Sequence, residues 1–326
     1  MAHLSDGAGI MTGRIVIILV GILVFVTSWA TWKWMRSGEA SPEAISAKYN
    51  APLTPPPTPM RVYHLGHSLV GRDMPAMVAQ LAGQGHRYES QLGWGTSLKN
   101  HWEGRKAING FDVENDHPRY RAAKEAMQSG DYDAVVFTEM VEIKDAIKYH
   151  KSGTYLANWA ELAREGRPDV RLYLYESWPR LDGPGDWLER LDKDLARYWE
   201  KGVLLPYLAE PDAAPVYIIP VGQVMARVVR AIEAGGDWGI TRREDLFARN
   251  ADGVLDPIHV NDLGIYLVAL THYAVLYHQS PVGLPYALRR ADGSRADAPT
   301  PELARLMQEI VWDVVTSMPK TGVAPI

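Results

Sequence analysis

Val62-Tyr63-His64-Leu65-Gly66-His67-Ser68-Leu69 is the stretch on which the reading of this chain turns. A short apolar run suited to a pleated strand ends at a glycine, and a serine follows two residues later, just before Arg72-Asp73-Met74-Pro75 opens a helical pattern. The pattern predicts a strand–turn–helix unit with a hydroxyl at its tip. In an open α/β sheet ligands bind outside the carboxyl ends of the strands, so Ser68 stands where a nucleophile is useful. Serine is also an ordinary turn and helix-capping residue, and this stretch alone does not separate the two roles.

The second informative stretch lies far downstream, Asp256-Pro257-Ile258-His259-Val260-Asn261-Asp262-Leu263-Gly264. An aspartate three residues before a histidine, in a polar turn leading into a long apolar helix, supplies both a general base and the carboxylate that orients it. A serine hydroxyl needs such a base, being a weak nucleophile at its own pKa. Gly66-His67-Ser68-Leu69 together with Asp256-Pro257-Ile258-His259 resembles the first and last blocks of the SGNH/GDSL hydrolase superfamily. The resemblance covers roughly residues 60–285. It implies a flavodoxin-like three-layer α/β sandwich with a mostly parallel five-stranded sheet. It also implies a serine esterase in which Ser68 attacks, His259 takes the proton and Asp256 orients His259.

Two glycines in Gly93-Trp94-Gly95, after an expected strand at 88–92, can bring backbone N–H groups close to a ligand. The resemblance places the oxyanion glycine at Gly95, with Gly93 as the other candidate. In the third block the chain departs from the family. Where an asparagine is usual, this sequence has Thr138-Glu139-Met140-Val141-Glu142. An ionised glutamate cannot donate a hydrogen bond, so the asparagine's role falls to Thr138, to a protonated acid or to no residue, and Thr138 and Glu139 are expected to line the site. Trp178, in Ser177-Trp178-Pro179-Arg180 at the end of another expected strand, is a candidate substrate contact or a packing corner.

Between these blocks strands and helices alternate. Strands are expected at 133–138, 170–176 and 215–221. Helical faces are expected on Met74, Met77, Val78 and Leu81, and on Leu188, Leu191, Leu195 and Tyr198, the latter opened by Asp186 with Glu189. The run 266–278 is almost wholly apolar and is expected to pack on the sheet. A last amphipathic helix starts at Thr300-Pro301.

The N-terminal region has a different character. Residues 15–31 carry no charge, lie between Arg14 and Lys33, and with Trp29, Trp32 and Trp34 reach the ~20 residues that cross a bilayer as a helix. We read residues 1–14 as a tail, 15–35 as an uncleaved single-pass anchor, 36–60 as a proline-rich spacer and 61–326 as the catalytic domain. Lys33 and Arg36 weigh towards a cytoplasmic domain, whereas a cell-surface glycan substrate calls for an extracytoplasmic one, which we expect.

Several classes are excluded or disfavoured. A chain of 326 residues without cysteine has no disulfide, thiolate metal site or cysteine nucleophile. A net charge of −5 with no basic block gives no support to a nucleic-acid partner. His64-x-x-His67 at a strand end sends its side chains to opposite faces, so no metal is expected. His101, Asp116 and His117 read as solvated loop residues. Neither Gly71-Arg72 nor Gly83-Gln84-Gly85 has the spacing of a phosphate loop, and no cofactor is implied. The functions left open are an esterase acting on an acylated glycan or small acyl ester, an O-acyltransferase on a polysaccharide, and a tethered binding or scaffold protein.

Overall fold

Five short segments rich in valine, leucine, isoleucine and tyrosine form the spine of the molecule: β1 (Arg61–Leu65), β2 (Arg87–Gln91), β3 (Ala134–Thr138), β4 (Arg171–Glu176) and β5 (Tyr217–Pro220). The structure is a computed structural model and describes residues 42–210 and 212–325. All pairings are parallel, in the order β2-β1-β3-β4-β5. Every residue of β3 and β5 is buried, as is required of strands covered on both faces. The edge strand β2, Arg-Tyr-Glu-Ser-Gln, is the polar one, which blunts the open side of the sheet.

Helices cover both faces. Asp73–Ala82, Asp262–Tyr277, Pro301–Ser317 and Val221–Glu233 pack together on one side, and Leu98–Glu103, Ala123–Ser129, Ser152–Gly166 and Trp187–Asp194 with its continuation lie on the other. This is the α/β sandwich expected, and its 2-1-3-4-5 order is the flavodoxin-like one. In that order the strand connections reverse direction beside β1, so the crevice at the carboxyl end of β1 is where this sheet offers a binding site.

The apolar run downstream of the Asp256–His259 pair is the Asp262–Tyr277 helix, buried from Tyr266 to Tyr277. Each large aliphatic side chain buried there contributes about 1.5–3 kcal/mol, so the helix is a fixed base for whatever precedes it. Asp186 caps its helix as expected, accepting from Glu189 N–H at 2.8 Å. That helix then widens into a π-helix over Leu195–Leu204, which turns Trp199 rather than Tyr198 into the core.

Two expectations need correction here. The Asp256–His259 segment is not a turn but a strand, β7 (Leu255–Val260), paired antiparallel with β6 (Phe247–Arg249). Pro257 hid it in the sequence, because proline argues against a strand except at an edge such as this two-stranded ribbon. The described part of the proline-rich stretch is not held away from the domain. After the helix Pro42–Ala47, Tyr49 is buried with its hydroxyl donating to Val216 O at 2.8 Å, and Leu53 N–H donates to Gly322 O at 2.7 Å. The expected span at 15–35 lies outside the described residues. Among the described residues no helix is long and apolar enough to cross a membrane.

Candidate active site

The turn after β1 is built by two devices. At Gly66 an added Cβ would stand 2.7 Å from Val70 Cγ2 and 2.9 Å from Thr138 Cβ, so only glycine lets the end of β1 lie against the end of β3. Then His67 O accepts from Val70 N–H at 2.9 Å and Gly71 N–H at 3.2 Å, closing a tight turn with Ser68 on its outer side. Ser68 is half-buried.

Its hydroxyl meets the β6–β7 ribbon. His259 Nε2 lies 2.9 Å from Ser68 Oγ, and His259 Nδ1 lies 2.7 Å from Asp256 Oδ2. The other carboxylate oxygen, Asp256 Oδ1, accepts from Ile258 N–H at 2.9 Å and His259 N–H at 3.0 Å. A carboxylate only accepts, so Nδ1 must carry the proton, leaving Nε2 as the acceptor aimed at the serine hydroxyl. Burial pushes the Asp256 carboxyl up, but the His259 and Ile258 N–H groups and the imidazole outweigh it and hold its pKa below the ordinary value. The carboxylate is therefore ionised at neutral pH, as an orienting partner of an imidazole must be.

The ribbon is held in register by side-chain and backbone bonds from three neighbouring segments. Trp178 Nε1–H donates to Ile258 O at 2.9 Å, Leu181 N–H donates to Pro257 O at 2.8 Å, and Asn261 Nδ2 donates to Asp245 O at 2.8 Å. Asn261 Oδ1 also caps the Asp262–Tyr277 helix through Leu263 and Gly264 N–H. Trp178, expected as a possible substrate contact, is 1 % exposed. It braces β7 from behind and offers no exposed face to a ligand.

Under the Ser68 turn sits a buried polar layer. His101 Nε2–H donates to Gly66 O at 2.8 Å while its Nδ1 accepts from Gln91 Nε2 at 3.0 Å, and His67 Nε2–H donates to Glu139 O at 2.9 Å. Burial pushes the pKa of His101 down to about 3 and that of His67 down to about 4, so both stay neutral. His101 is 2 % exposed, which corrects its expectation as a solvated residue. No motif signals it, since its partners are a backbone carbonyl and a glutamine on another element. His64 and His67 diverge as expected: His64 faces His272, with ring centroids 6.1 Å apart, and His67 faces Glu139. Among the described residues no group of three or more ligating side chains could hold a metal ion.

The third block is sealed. Thr138 and Glu139 are both 0 % exposed, so neither lines an opening. Thr138 Oγ1 has no hydrogen-bond partner. Glu139 Oε1 accepts from Met140 N–H at 2.8 Å and Leu98 N–H at 3.3 Å, tying the loop after β2 to the end of β3. The oxyanion role expected of Thr138 is therefore not supported by its position. By contrast Gly95 is exposed, with φ +53°, and among the described residues neither its N–H nor that of Ser68 takes part in a hydrogen bond.

Two expected outcomes follow from the sealed layer. Thr138→Val replaces a buried, unpartnered hydroxyl by a methyl group, so it should leave turnover within about threefold and raise the melting temperature, since an unmet buried polar group costs about 1–3 kcal/mol. A loss of turnover near 10²-fold, the size typical of a missing oxyanion donor, would restore Thr138 to that role. Glu139 gives a pH signature. Burial raises its carboxyl pKa from the ordinary range to about 7. Between about pH 4.5 and 7 the folded state then binds a proton that the unfolded chain does not, so stability falls as pH rises through that window. Glu139→Gln keeps an acceptor without the charge, so its melting temperature should exceed that of wild type at pH 8 and match it near pH 5. Equal differences at both pH values would contradict the assignment.

A cleft of 140 Å³ adjoins Ser68 and His259, walled by Leu69, Met74, Ile265 and Val268. Larger cavities of 590 and 730 Å³ lie elsewhere and contain none of the three residues.

No family model matches the chain, and no curated protein matches it. Solved structures are similar to it in fold. A DUF4886 family protein from Bacteroides uniformis superposes with a TM-score of 0.51 at 14% identity, over 78% of this chain and 94% of that one. An aryl esterase from M. smegmatis gives 0.34 at 12% identity over 66% of this chain and 96% of its own. An acetyl esterase mutant with acetate ion gives 0.30 at 16% identity over 67% and 96%. The likeness to the first of these speaks to the fold alone, and the chemistry has to be argued from the side chains.

Proposed function

We propose that this protein is a serine esterase of the SGNH/GDSL type, tethered to a membrane by residues 15–35 and acting on an acylated glycan or similar ester. The observation that carries the reading is the continuous chain Asp256–His259–Ser68, with distances of 2.7 and 2.9 Å, at the carboxyl edge of β1. Ser68 Oγ attacks the ester carbonyl as His259 Nε2 takes its proton, and the N–H groups of Ser68 and Gly95 receive the developing oxyanion. The imidazolium then protonates the leaving alcohol, whose C–O bond breaks to give the acyl-serine. Water, activated by the same imidazole, releases the acid. His259 is 43% exposed at its side chain, so water reaches the base directly, which favours hydrolysis over transfer to a sugar hydroxyl.

Acetate release from p-nitrophenyl acetate and from acetylated polysaccharide, measured with the full-length protein in neutral detergent, tests the reading. Turnover of either substrate is expected. Failure on every ester would sink it, and movement of acetyl groups onto a glycan without net release would make the protein a transferase. Reporter fusions after Ile326 that are active only outside the cytoplasm are expected to be active.

A further inference from the structure

We propose that Trp94 is a sugar-stacking platform at the mouth of the active site, so that the substrate of the esterase proposed above is the acylated ring of a glycan rather than a free aliphatic ester. Trp94 lies between Gly93 and Gly95 and is 51% exposed, against the general rule that large aromatic surface is buried. Its exposure is not that of a loose loop. One face of the indole rests on Gly110, where a Cβ would stand 2.3–2.8 Å from the ring atoms, so a glycine in a left-handed conformation (φ +66°) has been needed to let the ring lie flat. The indole N–H donates to Glu114 Oε1 at 2.7 Å and the backbone N–H to Asn109 O at 2.8 Å. Asn115 clamps the chain two residues earlier, accepting from Leu92 N–H and donating to Leu92 O, both at 2.9 Å. An exposed ring fixed at this many points is preorganised, so a ligand stacking on it pays little ordering entropy.

Its place relative to the chemistry follows from the chain, since Trp94 directly precedes Gly95, whose N–H is assigned to the oxyanion in the function proposed above. Arg72, four residues after Ser68, donates to Val113 O, next to the Glu114 that holds the indole. The loop carrying Trp94 is also tied to the end of β3 by Leu98 N–H on Glu139. Val113, adjacent in sequence to Glu114, and the Arg105–Asp112 pair on the same segment as Gly110 are also exposed. A flat apolar face with a carboxylate at its edge matches a pyranose, which has an apolar C–H face and a hydroxyl edge. An acyl chain would instead call for a continuous apolar trough.

The test compares Trp94→Ala and Trp94→Phe with wild type, full length in neutral detergent, on acetylated xylo-, cello- and manno-oligosaccharides and on ethyl acetate, which has no ring. The ratio of kcat/KM for oligosaccharide over ethyl acetate should fall roughly 5- to 10-fold in Trp94→Ala, through KM, and recover mostly in Trp94→Phe. Calorimetry in the Ser68→Ala background should show the same weakening of oligosaccharide binding. An unchanged ratio for all three oligosaccharides, or a fall in kcat alone on every substrate, would overturn the platform. Binding through Trp94 by a protein that hydrolyses nothing would leave the platform standing and remove the esterase.

Discussion

Ser68→Ala is expected to lower ester hydrolysis by about 10⁴- to 10⁶-fold, the range in which removing a triad nucleophile leaves only binding and oxyanion stabilisation. The protein should remain folded. Ser68 is half-buried on the outside of its turn, its hydroxyl meets only His259 among the described residues, and the turn itself is closed by His67 O. A shift in melting temperature of no more than about 2 °C is therefore expected. Assays of kcat/KM on p-nitrophenyl acetate, alongside thermal melts, check both halves. Retained hydrolysis would mean that the geometry at Ser68 is structural.

His259→Ala should cost nearly as much, and the double variant Ser68→Ala/His259→Ala little more than either alone, because nucleophile and base act as one unit. Asp256→Asn tests the orienter. An asparagine can still accept from Ile258 and His259 N–H through its carbonyl oxygen, but it presents an NH₂ to His259 Nδ1, which forces the proton onto Nε2 and blocks the acceptor facing Ser68. A loss of about 10⁴-fold is expected from the wrong tautomer. Additive losses across the pair, or an Asp256→Asn variant with full activity, would separate these residues.

The strands and most helices of this chain were legible because the sheet is parallel and covered on both faces, so each inner strand is a largely apolar run, and glycines such as Gly66, Gly93 and Gly130 punctuate the elements. Ser68 and the Asp256–His259 pair could be picked out as candidates for a related reason: each lies in a pattern short enough to be local. What stayed hidden was non-local. His101 supports Gly66 from a helix thirty-five residues away, and Trp178 braces Ile258 across eighty. His101 reads as a surface residue, and Trp178 as either a substrate contact or a packing corner, until their partners are known. Thr138 and Glu139 show the opposite error. Their place after a strand suggested access, but the close approach at Gly66 and the Leu98 tether close the space above them. The ribbon of β6 and β7 was missed because Pro257 and the polar residues around it fit a turn at least as well as an edge strand.

The central claim is that Ser68 is a nucleophile activated by His259. A fluorophosphonate reacts only with such a serine, so its adduct, mapped by peptide mass spectrometry on the full-length protein, tests the claim without knowledge of the natural substrate. One adduct per chain on Ser68, missing from His259→Ala over the same time, is the predicted result. An adduct on a different serine, or labelling of Ser68 that is undiminished without His259, would contradict the account.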